Sequence, residues 1–262
     1  MTGSHSAPQD VFDEMFRHSP VMAILRGLDQ PTTLNLCHRL WDLGVVAVEI
    51  PVQREADLAT LAAAATAGEH RRRPVGAGTI TSVELVAQVA AAGAAFTVAP
   101  GLDEHVLTAC TGLGLAHLPG VATGTDVQRA TRLGLRWAKA FPAAQLGSAW
   151  ITAMLAPFPD ARFVATGGIT TGNAGEFLSA GAAAVSLGGS LADADDDAIY
   201  TLIAGSSPTP DKAAGKGAPN RPTPLAAVRR PGCGGLRQQE SGEIRSISDF
   251  PLQRETDHDG PC

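Results

Sequence analysis

Eight short apolar runs, separated by stretches with helical spacing, recur between residues 11 and 204. They occupy residues 21–26, 45–50, 75–79, 95–99, 115–118, 135–140, 162–166 and 183–187. Several are nearly continuous in apolar side chains rather than alternating. That is the pattern of parallel strands covered on both faces. The segments between them, such as 32–43, 83–92 and 148–155, are rich in alanine and leucine at helical spacing. Eight βα repeats in so short a span predict an α/β fold, a compact (β/α)8 TIM barrel. An open doubly wound sheet is the competing architecture, but it usually has fewer strands and a GxGxxG after the first, which this chain lacks.

Boundary signals agree with this division. Pro31 stands where a first helical turn begins, and Gly44, Gly93, Gly134 and Gly181 follow helices as C-terminal caps. Residues 11–16 have apolar side chains at helical spacing and suit a short helix plugging the closed end of the barrel. Residues 1–10 read as a flexible N-terminus and 11–204 as the barrel domain. Residues 205–262 hold eight of the eighteen prolines, with mixed charge and no periodicity. They read as a disordered or loosely attached tail. The tail cuts short the last helix, which is traceable only over about 197–204.

The net charge of -6 and pI near 5.6 argue against nucleic acid as a partner. No apolar run nears the roughly 18 residues of a membrane span, and the polar start lacks a signal-peptide core. Cys37, Cys110, Cys233 and Cys262 are far apart, which suits a reducing cytoplasm and neither a disulfide framework nor a zinc site. There are three lysines against seventeen arginines, and only Lys139 lies in the part that reads as folded.

Catalytic groups of such barrels sit at the C-terminal ends of the strands. Lys139 stands between Trp137-Ala138 and Ala140-Phe141. An apolar setting favours its neutral amine, which can attack a ketone to give an imine. The bland alternative is a snorkelling or ion-paired lysine. Glu49 is the ionisable group on an aliphatic strand. Raised in pKa, it would serve as a proton shuttle; otherwise it is a structural salt bridge to Arg26 or Lys139. Arg26 suits a carboxylate fork or a rim ion pair. Thr79 and Thr166 offer hydroxyls to the same carboxylate, although threonine is common in strands. Gly167-Gly168 and Gly188-Gly189-Ser190 suit a backbone nest for phosphate, or simply tight turns. His117 reads as a packing or rim residue. No HExxH, Asp/His cluster or GxSxG appears, so no metal or serine-hydrolase chemistry is expected.

Taken in order, Ala23-Ile24-Leu25-Arg26-Gly27, Val48-Glu49-Ile50-Pro51, Gly76-Ala77-Gly78-Thr79, Pro100-Gly101-Leu102, Pro119-Gly120-Val121, Lys139-Ala140-Phe141-Pro142, Thr166-Gly167-Gly168-Ile169 and Gly188-Gly189-Ser190 form a pattern. Through it, residues 11–200 resemble the 2-keto-3-deoxy-6-phosphogluconate, 6-phosphogalactonate and 4-hydroxy-2-oxoglutarate aldolases. The resemblance implies a class I, metal-free and cofactor-free homotrimer. Lys139 would form the imine with pyruvate and Glu49 would be the general acid/base. Arg26, Thr79 and Thr166 would surround the carboxylate, with Gly167, Gly168, Gly189 and Ser190 around the phosphate and Phe141 beside the lysine. Some members carry an arginine four residues after the glutamate, where this chain has Gln53, with Arg54 one position out of register.

The expected activity is therefore cleavage of a 2-keto-3-deoxy-6-phosphosugar acid to pyruvate and glyceraldehyde 3-phosphate. Its partner would be a small 2-keto acid, not nucleic acid or membrane, and its location the cytoplasm. The alternatives are 4-hydroxy-2-oxoglutarate cleavage, an imine-free phosphate-binding barrel similar to thiamine-phosphate synthase, and a non-catalytic phosphosugar-acid binder.

Overall fold

The computed structural model describes residues 10–17, 19–189, 191 and 194–205. Contacts divide the chain into Met1–Ala227, which holds every described residue, and Val228–Cys262, which holds none. Of the expected flexible start at 1–10 and the Pro/Gly-rich tail at 205–262, Asp10 and Gly205 belong to the first and last helices instead, and the other residues lie outside the described ones.

The strands are β1 (Val21–Ile24), β2 (Ala47–Pro51), β3 (Val75–Gly78), β4 (Phe96–Val98), β5 (Ala116–Leu118), β6 (Gly120–Val121), β7 (Trp137–Ala140), β8 (Arg162–Thr166) and β9 (Ala184–Leu187). All pair in parallel, in the order β5-β4-β3-β2-β1-β9-β8-β7-β6. β5 and β6 are halves of one stretch, interrupted at Pro119, which has no N–H to give to a ladder. Before the proline the stretch pairs with β4, and after it with β7. The Pro119 carbonyl accepts from the Lys139 N–H at 2.8 Å. Nine segments thus make the eight staves expected, and the parallel sheet is nearly closed.

The helices are α1 (Asp10–Phe16), α2 (Gln30–Asp42), α3 (Glu55–Arg71), α4 (Val83–Ala91), α5 (Glu104–Gly112), α6 (Gly124–Arg132), α7 (Ala143–Leu146), α8 (Ser148–Leu155), α9 (Ala174–Ser179) and α10 (Asp196–Gly205). Side chains satisfy the orphan N–H groups at several starts. Asp29 accepts from Thr32 N at 2.7 Å, and Asp103 from His105 N at 2.8 Å. Gly44 and Gly181 end α2 and α9 with φ of 96° and 102°, a region that costs other residues strain. The last helix, α10, extends one residue beyond the expected stretch at each end.

Two cores follow from strand alternation. Outward side chains such as Val48, Ile50, Ala77, Phe163 and Leu187 pack against helical Leu40, Leu61, Val86 and Ile151. Inward side chains fill the barrel in layers of four drawn from alternate staves, as this fold requires. Moving two staves round the barrel in chain order, the inward residue at equal height lies two positions further along than the one directly paired. The lowest layer is therefore Ala47, Phe96, Trp137 and Ala184, and Met22, Gly76, Leu118 and Val164 lie above it. A side chain at Gly76 would stand 2.5 Å from Phe96 Cδ2, so the glycine makes room for that ring.

α1 closes the bottom. Phe12, Met15 and Phe16 are buried in the inner core, and Phe12 meets Phe96 edge-on at 5.9 Å and Trp137 at 6.1 Å. Trp137 Nε1 donates to Asp13 at 3.0 Å, and Arg136 pairs with the same carboxylate. The 11–16 segment is thus the plug its spacing suggested.

Candidate active site

The next layer up changes character. It consists of Glu49 on β2, Val98 on β4, Lys139 on β7 and Ser186 on β9. These positions follow from the pairs Ile24↔Glu49 and Met22↔Ser186 on one side, and Gly120↔Lys139 and Val98↔Leu118 on the other. Glu49 and Lys139 therefore face each other across the barrel. Three of these four residues are polar, and all are buried.

Glu49 is fully buried, and neither carboxyl oxygen has a hydrogen-bond partner in the protein. The salt bridge considered from sequence does not form. Loss of hydration pushes the Glu49 carboxyl above its ordinary range, against the opposing pull of Lys139 and Arg26. Burial likewise lowers Lys139; Glu49 opposes that change and Arg26 reinforces it. Both shifts favour the uncharged form of each group, because a low-dielectric setting penalises charge. The Lys139 Nζ lies 5.0 Å from the centre of the Phe141 ring, which walls the amine.

The rim supplies the other candidates. Arg26 follows β1 and is exposed, near enough to act electrostatically on both Glu49 and Lys139. Thr166 ends β8, is buried, and donates to its own strand at Val164 O, 3.3 Å away. Thr79 follows β3 with φ of 64°, an unusual region for a β-branched residue. A cleft of about 670 Å³ between the starts of α3 and α4 shares only Thr79 with these candidates. It lacks the buried amine and acid, so the barrel mouth is the better site for chemistry.

Gly167 and Gly168 follow β8 with φ of 95° and 73°. Asn173 Nδ2 donates to Gly168 O at 3.0 Å, and its Oδ1 accepts from Thr170 N at 2.8 Å. The turn is thereby fixed, and a side chain at Gly167 would meet the Phe141 ring at 3.1 Å. Gly188 and Gly189 border open space, and Ser190 lies outside the described residues. Arg54 bonds Asp57 at 2.7 Å. His117 is buried on the outer face, where its Nδ1 bonds Thr97 Oγ1 at 2.9 Å.

Residues 12–201 match the family model described as KDPG and KHG aldolase. The chain belongs to that family. Among KDPG and KHG aldolase relatives, the 2-dehydro-3-deoxy-phosphogluconate aldolase of Treponema pallidum (strain Nichols) is 42% identical over 106 residues. That match covers 40% of this chain and half the length of the relative. A crystal structure of the Zymomonas mobilis ZM4 2-keto-3-deoxy-6-phosphogluconate aldolase with 3-phosphoglycerate superposes with a TM-score of 0.67. It is 29% identical and covers 77% of this chain and 96% of that one. The KDPG aldolase of Legionella pneumophila, with pyruvate captured as a covalent carbinolamine, gives 0.64 at 26% identity, covering 74% and 97%.

Against this KDPG and KHG aldolase frame, two residues near the site carry no obvious signal in the sequence. Ser186 reads as one serine in an aliphatic run, and Gly78 enters only as part of the Gly76-Ala77-Gly78-Thr79 stretch, with no role of its own. Register alone puts Ser186 beside the acid and the amine. The Gly78 contact with Glu49 emerges only from side-chain geometry.

Proposed function

We propose that this chain is a class I aldolase that cleaves a 2-keto-3-deoxy-6-phosphosugar acid reversibly to pyruvate and glyceraldehyde 3-phosphate. The observation that carries the reading is one buried lysine facing one buried, unpaired glutamate at the open end of the barrel. Lys139 is the one lysine among the described residues. The pyruvate carbinolamine of the Legionella relative and the 3-phosphoglycerate of the Zymomonas relative support covalent capture and a phosphorylated three-carbon fragment.

The neutral Lys139 amine attacks the C2 ketone, and water leaves the carbinolamine to give a protonated imine. Glu49, through a water, takes the proton of the C4 hydroxyl. The C3–C4 bond breaks, its electrons flow into the imine, and the aldehyde departs. The enamine is protonated at C3 and hydrolysed, which frees pyruvate and restores the amine. Arg26 with Thr79 and Thr166 holds the carboxylate, and Gly167, Gly168, Gly189 and Ser190 hold the phosphate. The Phe141 ring shields the imine carbon from bulk water.

Pyruvate with borohydride tests the reading. The expected product is a single reduced three-carbon adduct on Lys139, formed equally well in EDTA. Labelling at Lys212 or Lys216 instead, or no adduct, overturns it.

A further inference from the structure

Ser186 is buried and its hydroxyl has no hydrogen-bond partner in the protein. Such a group costs desolvation without return. Both oxygens of Glu49 are in the same condition. Strand register puts these unpaired groups in one layer. Ser186 pairs with Met22, two positions before the Ile24 that pairs with Glu49, and it pairs with Thr166, two positions after the Val164 that pairs with Lys139. Around the ring, Ser186 therefore lies between Glu49 and Lys139 on one side, and Val98 lies between them on the other. Val98 is apolar, so Ser186 is the neutral polar group of the layer and the one able to link the acid and the amine.

We propose that Ser186 is a positioning residue for the acid/base step: its hydroxyl donates to the Glu49 carboxylate through a buried water and sets how tightly Glu49 holds its proton. This rests on the aldolase reading of Glu49 and Lys139 above. A water in that place has the polar partners such a site requires. The groups facing Glu49 are Arg26 beyond β1, Gly78 of β3, Val98 of β4, Lys139 of β7, Thr166 of β8 and Ser186 of β9. Of these, Arg26 carries a fixed charge and Lys139 is the other group able to carry one, and both pull Glu49 toward the carboxylate. Ser186 adds a donor to the ionised form. Its loss makes Glu49 hold its proton to higher pH.

The test uses the full chain with Ser186→Ala and Ser186→Cys. Infrared difference spectra across a pH titration read the protonated carboxyl band of Glu49, identified by its loss in Glu49→Gln. The expected result is a midpoint moved upward by about one pH unit in Ser186→Ala, the size of one charge-assisted hydrogen bond. Ser186→Cys, of similar shape but a weaker donor, moves it the same way by less. The acid limb of kcat/KM follows the same shift, while KM for pyruvate stays within about twofold. An unchanged midpoint, with Ser186→Ala melting higher than the parent because an idle buried hydroxyl has been removed, overturns the proposal. Failure of the parent protein to trap pyruvate would overturn the aldolase reading instead, and the infrared midpoints would still decide the role of Ser186.

Discussion

The carboxyl group of Glu49 on β2 rests against the bare Cα of Gly78 on β3. A methyl group at Gly78 would stand 2.6 Å from the Glu49 carboxyl carbon and 2.7 Å from its Cγ. No ordinary contact is that close, so the glycine defines the space in which the acid lies.

Gly78→Ala is therefore expected to displace the Glu49 side chain while leaving Lys139 in place. Turnover should fall by about 10²-fold or more, as when a positioned acid/base is lost. Borohydride trapping of pyruvate should persist. Combining Gly78→Ala with Glu49→Asp, which withdraws the carboxyl by one carbon, should recover part of the loss. Steady-state kinetics on the three variants reads this directly; a double variant slower than either single one would refute the steric account.

Glu49→Gln keeps the shape and removes the titrating group. It should lower kcat by about 10²–10⁴-fold. The acid limb of the pH profile assigned to Glu49 should disappear with it. Retention of that limb would mean that another group carries the proton.

Ser190→Asp places a negative charge at the expected phosphate position. It should raise KM for the phosphorylated sugar acid far more than it slows 4-hydroxy-2-oxoglutarate, because the repulsion acts only on a phosphate. Equal losses on both substrates would make the unphosphorylated acid the better assignment.

Away from the mouth, burial holds the His117 ring down at about 4, from an ordinary 6.5. The folded pKa is depressed for a base. Its contribution to stability is therefore complete above pH 6.5 and is lost as pH falls toward 4. The loss is roughly 3 kcal/mol at about 1.4 kcal/mol per unit. Asp103 acts against the shift. Denaturant melts across that pH range should show the slope, and His117→Gln, which keeps an amide near Thr97 Oγ1, should flatten it.

Phe12→Ala should cost roughly 3–5 kcal/mol, the usual toll for an aromatic deleted from a packed core. The ring contacts Phe16, Phe96 and Trp137. Because the mouth lies at the other end of the barrel, trapping at Lys139 should survive in the fraction that remains folded.

Much of this architecture is legible in the sequence. Parallel strands buried on both faces leave long apolar runs, so all eight staves could be read to within a few residues. Lys139 and Glu49 stood out because charge inside such a run has to be explained. Other features are properties of three dimensions. The break at Pro119 divides one run between two neighbours, and Ala143–Leu146 forms its own turn ahead of α8. Ser186 becomes notable only when pairing registers are followed round the barrel. Arg54 did carry a local clue, since Asp57 is three residues on and within reach of its guanidinium.

The aromatic floor laid by α1 makes the barrel blind at one end. A keto acid seated in the mouth is then also a stopper above Glu49, which is wholly buried. While the ligand stays, the carboxyl group can trade hydrogen only with that ligand or with waters sealed in beside it. Heavy water added after the ligand has bound should therefore label the carboxyl group only at the rate of ligand release.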